Sequence, residues 1–246
     1  MGSRHEVDTT VTPPQVAIDG CTTVPSLFAK RVADLPDKVA IREKDFGIWN
    51  EYTWGDFGRE AELAGLGLAA LGLQRADVCS IASEINREWM FADLGIICMG
   101  GVTNGVYPTD SAEQVEYLIN DSGTRFYFAE DDEQLDKVLE VRERCPTLEK
   151  VIIFDMEGLR HLDDPMCISF GELAELGREY RDEHPDAWQQ GIDQANAEDL
   201  MILTYTSGTT GPPKGAMISQ RNMMFMMITL QTVSYTHLRA HETGWY

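Results

Sequence analysis

Between residues 39 and 205 the chain alternates short β-branched or aromatic runs with longer segments that begin on helix-start signals, and this alternation limits the fold more than any other property. Residues 39–42, 49–52, 78–82, 102–107, 125–129, 150–154 and 201–205 read as strands. The 26–35 run reads as a short helix stopped by Pro36. Thr53, with Asp56 in the first turn, opens a long amphipathic helix in which Leu63, Leu66 and Ala70 share a face, and Gly72 ends it. Residues 87–99 form an apolar helix broken by Gly100-Gly101. Ser111 with Gln114, and Ser169 with Glu172, have the spacing of capping boxes. The 131–144 run is acidic at its start and basic at its end, as the helix macrodipole favours. Strand–helix alternation at this spacing predicts an α/β fold with a mainly parallel sheet flanked by helices.

The segments divide as follows. Residues 1–22 are a loose polar lead-in, 23–180 a first α/β region, 181–200 a polar connector, and 201–232 a strand, loop and helix that start a second subdomain. Ser219 caps the last helix, near Gln220-Arg221-Asn222.

Composition excludes several classes. The net charge is −21 with no basic cluster, so neither a nucleic-acid duplex nor an anionic membrane is an expected partner. The five cysteines, Cys21, Cys79, Cys98, Cys145 and Cys167, are scattered without a C-x-x-C pair, which argues against a disulfide frame and fits a reducing cytosol. No apolar run is long enough to span a bilayer, and the N-terminus lacks the apolar core of a signal peptide. The expected location is cytoplasmic, with only peripheral membrane contact open.

One loop carries chemistry. Thr206-Ser207-Gly208-Thr209-Thr210-Gly211-Pro212-Pro213-Lys214-Gly215 follows the apolar run 201–205. Small residues let backbone N–H groups wrap phosphate oxygens, hydroxyls add donors, and Lys214 adds a mobile positive charge. A plain turn would use the same Gly, Thr and Pro, but not so many phosphate-holding groups ending in a lysine. A Walker A loop needs Gly before the lysine and Ser or Thr after it; here Pro213 precedes Lys214 and Gly215 follows. The chain holds no G-x-G-x-x-G.

Read from Tyr205 to Gly215, the run resembles the phosphate-binding signature of the adenylate-forming (AMP-binding) superfamily, which includes acyl-CoA synthetases, luciferase and the adenylation domains of peptide synthetases. The 41–54 segment with its following helix, and the stretch from Gly100 through Ser111 with residues 113–118, resemble earlier parts of the same family. The match leans toward bacterial long-chain fatty acyl-CoA synthetases. One departure stands out: Ser219-Gln220-Arg221-Asn222 replaces the Ser-His-x-Asn many members carry.

The resemblance implies an incomplete N-terminal domain of an ATP-dependent acid–thiol ligase. It implies ATP, a carboxylic acid such as a long-chain fatty acid, and coenzyme A as substrates. Ser207, Gly208, Thr209, Thr210 and Gly211 would hold the β- and γ-phosphates, Lys214 would follow the departing pyrophosphate, and Thr206 would contact Mg. Other adenylate-forming ligases, acting on aryl or medium-chain acids or within peptide synthetases, and a non-catalytic fragment stay open as alternatives. No complete catalytic set is expected within these residues, and the fragment is expected not to turn over alone. Residues 233–246 read as a non-native tail; Val233 to Thr243 resembles a translated sequencing adapter and shares nothing with the family.

Three further features take ordinary readings. The Met223-Met224-Phe225-Met226-Met227 run is core at helical spacing rather than an acyl contact. His161 and His184 are solvent-exposed loop residues, and Glu130-Asp131-Asp132-Glu133 starts a helix rather than holding a metal.

Overall fold

The computed structural model describes residues 16–206 and 211–230. In chain order its elements are α1 (Val24–Asp34), β1 (Val39–Asp45), β2 (Ile48–Thr53), α2 (Trp54–Ala70), β3 (Val78–Ala82), α3 (Arg87–Cys98), β4 (Val102–Val106) and α4 (Ala112–Ser122). There follow β5 (Thr124–Ala129), α5 (Asp132–Val141), β6 (Lys150–Ile153), β7 (Cys167–Ser169), α6 (Phe170–Glu183), α7 (Ala187–Asp193), β8 (Leu200–Thr206) and β9 (Lys214–Ser219). Residues 220–230 are helical.

Helix starts follow local hydrogen bonding. Reciprocal capping boxes open α1 (Thr23 with Ser26), α2 (Thr53 with Asp56), α4 (Ser111 with Gln114) and α6 (Ser169 with Glu172). Each such cap stabilises its helix by about 1 kcal/mol. Asn86 caps α3 and Asp131 caps α5. Ser219 and Asn222 bond reciprocally at the start of the last helix.

The main sheet has seven strands in the order β7-β6-β5-β3-β4-β8-β9; β1 and β2 form a separate antiparallel pair. Every pairing in the main sheet is parallel except β8 with β9. Central strands are buried on both faces. On β3, Val78 and Ala82 face the layer of α4 and α5, packing with Val115, Ile119, Leu135 and Val138. Cys79 and Ile81 face the layer of α2, α3 and α6, with Leu68, Ile96 and Leu173. Burial on both sides is why such strands read as continuous apolar runs rather than alternating ones. Phe28, Phe57, Phe91 and Ile192 join α1, α2, α3 and α7 in a third cluster.

The expected α/β architecture is therefore the observed one, with differences in detail. β7 and β9 were not expected. β7 is three residues long, and β9 is an edge strand whose ladder runs to β8. The 181–200 stretch holds the end of α6 and all of α7, whose Trp188 and Ile192 pack into the third cluster. α7 has no side-chain cap, so it left no start signal in the sequence. The basic end of the 131–144 run is a 3-10 turn, Arg142–Arg144. β8 and β9 extend the same sheet as β3 to β7.

All five cysteines are free, and burial pushes the thiols of Cys79, Cys98 and Cys145 up, so they stay protonated. Met224 is fully buried and Met223 packs on the third cluster, whereas Phe225 and Met226 are exposed; the methionine run is core on one face only. His161 and His184 are exposed, the latter with its ring tilted against that of Tyr180. Residues 1–15 of the lead-in and the tail 233–246 lie outside the described residues. No helix among the described residues is long and apolar enough to cross a membrane.

Candidate phosphate site at the β8–β9 hairpin

β8 and β9 pair antiparallel so that Thr206 lies opposite Lys214, Tyr205 opposite Gly215 and Thr204 opposite Ala216. The sequence reading put Lys214 at the end of a loop that runs into a helix. The structure puts it at the start of a strand, facing Thr206 across the last rung. Ser207, Gly208, Thr209 and Thr210 lie outside the described residues. Gly211 has φ +98°, a left-handed conformation that suits glycine alone. Thr206 and Lys214 are both exposed, and Lys214 makes no ion pair among the described residues.

Helix α4 holds this hairpin from one side. The Tyr117 hydroxyl donates to the carbonyl of Pro213 at 2.8 Å. The Tyr205 hydroxyl donates to Asp121 Oδ2 at 2.7 Å. The two rings meet edge to face, with centroids 6.4 Å apart. Burial first, and then the Asp121 carboxylate, pushes the Tyr205 phenol up, so it remains a donor. The Tyr205 ring covers Gly215: a Cβ there would sit 3.2 Å from Tyr205 Cζ. Sequence reasoning gave Tyr117 and Asp121 no role. Their i, i+4 spacing on one helix face was the available signal.

The same residues border a hollow of about 580 Å³, lined by Tyr107, Asp110, Glu113, Gln114, Tyr117, Leu118, Tyr205, Thr206 and Pro213. The first turn of α4 forms one wall, so the positive end of a helix faces the space. Burial pushes the Asp110 carboxyl up. The Glu113 backbone N–H and then Ser111 hold the Glu113 carboxyl down. These acids oppose a bare polyphosphate and favour one that brings a divalent cation.

A second hollow, about 390 Å³, opens at the C-terminal ends of β3, β4 and β8, between Ser83, Trp89, Tyr107 and Tyr205. β3 sends its connection through α3 to one face and β4 sends its own through α4 to the other. Strands that part in this way leave a crevice beyond their C-terminal ends, where open α/β sheets bind ligands.

Among the described residues no group of three or more His, Cys, Asp or Glu side chains could hold a metal ion. The 130–133 acids serve the fold: Asp131 Oδ1 accepts from the Gln134 backbone N–H at 3.0 Å, and Glu130 Oε2 accepts from that of Glu84 at 2.8 Å. Thr206 offers one neutral hydroxyl, which suits a magnesium ion only where phosphate oxygens supply the other ligands.

The doubly wound sheet thus carries an antiparallel hairpin, β8–β9, beside the crevice beyond its strand ends. The family model for AMP-binding enzymes matches residues 28–244, and the chain belongs to that family. The match passes Thr232, where the sequence reading had ended the resemblance. The chain is 32% identical to the long-chain-fatty-acid–CoA ligase ACSBG2 of Xenopus laevis over 82% of its own length and 26% of that protein's. It is 31% identical to the long-chain-fatty-acid–CoA ligase FadD15 of Mycobacterium bovis over 89% of its length and 35% of that protein's. It thus spans about a quarter to a third of these curated relatives. The crystal structure of the anthranilate CoA ligase AuaEII with anthranoyl-AMP superposes with a TM-score of 0.68 at 21% identity, covering 85% of this chain and 36% of that one. That likeness concerns the fold.

Proposed function

We propose that this chain forms the phosphate-side wall of an ATP-dependent ligase that activates a long-chain fatty acid and passes it to coenzyme A. The single observation that supports this reading is the Thr206–Lys214 rung, which lies within the span matched by the AMP-binding family model, with Thr206 and Pro213 lining the hollow beside α4.

In this reading a carboxylate oxygen of the acid attacks the α-phosphorus of ATP. The bond to the bridging oxygen breaks and pyrophosphate leaves. The sulfur of coenzyme A then attacks the acyl carbon, the acyl–phosphate bond breaks, and AMP leaves. Neither step needs a protein nucleophile, so the chain's task is positioning and charge neutralisation. Ser207, Gly208, Thr209, Thr210 and Gly211 hold the β- and γ-phosphates through amides and hydroxyls. Lys214 follows the charge that develops on pyrophosphate. Thr206 would hold a magnesium ion brought by the phosphates through its hydroxyl, and that ion would supply further charge neutralisation. Tyr117 and Tyr205 keep the hairpin fixed while the charge moves.

The test is acyl-CoA formation by a full-length protein carrying these residues, with long-chain, medium-chain and aryl acids compared at equal concentration. The reading expects ATP- and magnesium-dependent product with the long-chain acid highest. Highest turnover on an aryl acid would replace the substrate class; no product from any acid would remove the ligase reading.

A further inference from the structure

The two-strand sheet of β1 and β2 stands apart from the main sheet. Its base is anchored: Ala40, Ile41 and Tyr52 pack on the third cluster, and Tyr52 meets Phe91 edge to face at 6.2 Å. Its tip is not. Phe46 is 98% exposed, Ile48 68% and Trp49 62%.

The turn itself is unusual. Asp45 pairs with Ile48, so Phe46 and Gly47 are the whole loop, with φ +44° and +84°. Positive φ at both positions is the geometry of a type I′ hairpin turn, where Asn, Asp or Gly are favoured at the first position. A phenylalanine is strained there, and the fold gives nothing back, because the ring rests on no other part of the described chain. The aromatic ring therefore finds no partner among the described residues.

We propose that the β1–β2 hairpin is an interfacial anchor that inserts Phe46, Ile48 and Trp49 among the headgroups of a neutral phospholipid surface. Ile48 and Trp49 are neighbours on one strand and point to opposite faces, with Phe46 ahead of both. A tip that is apolar on both faces suits a medium that surrounds it; a protein docking on one face would leave the other wet. Behind the tip stands a polar collar. Lys44 pairs with Trp49, its ammonium 5.9 Å from the indole centroid, and Arg42 binds Glu51 at 2.8 Å two rungs further back. An indole beside a lysine whose stem can lie along apolar material is suited to the boundary between headgroups and acyl chains. The collar limits insertion to about two rungs, roughly 7 Å. The surface should be neutral, because the hairpin's sequence sets Glu43, Asp45 and Glu51 against Arg42 and Lys44 and offers anionic lipid no excess of positive charge. None of this depends on the ligase reading.

The test is flotation of a full-length protein carrying these residues with phosphatidylcholine vesicles. Wild type should float. Phe46→Asn with Trp49→Ser should lower the bound fraction at least tenfold, and Phe225→Ser, which removes an exposed ring elsewhere, should not. Added phosphatidylserine should weaken binding. Phe46→Asn alone should melt no lower than wild type, since Asn accepts the turn geometry. Wild type that stays unbound, a double variant that still floats, or tighter binding to phosphatidylserine would overturn the anchor. Loss of self-association in the double variant without any vesicle binding would overturn it in favour of a second copy of the chain.

Discussion

The Tyr117 hydroxyl lies 2.8 Å from the Pro213 carbonyl, so helix α4 grips the hairpin one residue before Lys214. In the proposed site that grip sets where the ammonium can reach. Tyr117→Phe keeps the ring and removes one hydrogen bond, a loss of about 1 kcal/mol. In a full-length ligase it should raise KM for ATP and slow adenylate formation several-fold, with little change in melting temperature. Steady-state kinetics and thermal unfolding on the same preparation check this. An equal loss with Tyr127→Phe, which removes a buried hydroxyl elsewhere in the core, would count against a specific role.

Asp93 introduces a pH dependence. It lies on α3, buried, with Oδ1 unpartnered among the described residues. Burial pushes its carboxyl up from 3.8 to about 6. Between those values the folded chain binds more protons than the unfolded one, so stability falls as pH rises through the window. The protonated carboxyl's advantage is fully present below about 4 and lost above about 6, a difference of about 3 kcal/mol at 1.36 kcal/mol per pH unit. Asp93→Asn should remove that slope and stabilise the chain at neutral pH. Urea unfolding of both proteins at a series of pH values reads the difference directly.

Glycines set the approach of α2 to α6. A Cβ on Gly177 would sit 2.1 Å from the Leu63 carbonyl oxygen, and one on Gly67 would sit 2.2 Å from that of Leu173. Both clashes are with backbone, which cannot rotate away. Gly177→Ala should therefore destabilise by about 3 kcal/mol or more despite improving helix propensity. Gly171→Ala, on the same helix with only the Ser169 hydroxyl near its Cβ position, should be neutral or slightly stabilising. Denaturant midpoints compare the two.

Much of the fold was legible because its signals are local. Thr53, Ser111 and Ser169 announce their helices through side chains that bond backbone three residues on, and β3 announces itself by being apolar on both faces. What could not be read depends on neighbours. β9 is a strand only because β8 offers a ladder, and it carries Gly215 because the Tyr205 ring fills that space. The close approach of α2 to α6 is set by Gly67 and Gly177, which look like weak helix residues until the partner helix is present. At the proposed site, the sequence offers Lys214 and the run before it as phosphate chemistry on residue types alone. Tyr117 and Asp121 were not, because their partners lie 96 and 84 residues away in the chain.

The most direct test is carboxylate-dependent exchange of labelled pyrophosphate into ATP by a full-length protein carrying these residues, before and after Lys214→Ala. Exchange should require a long-chain fatty acid, and the substitution should slow it roughly 100-fold while leaving the melting temperature unchanged. Exchange that is absent with every carboxylic acid, or unaltered by Lys214→Ala, would contradict the account of the hairpin as the pyrophosphate-side wall of an adenylate-forming site.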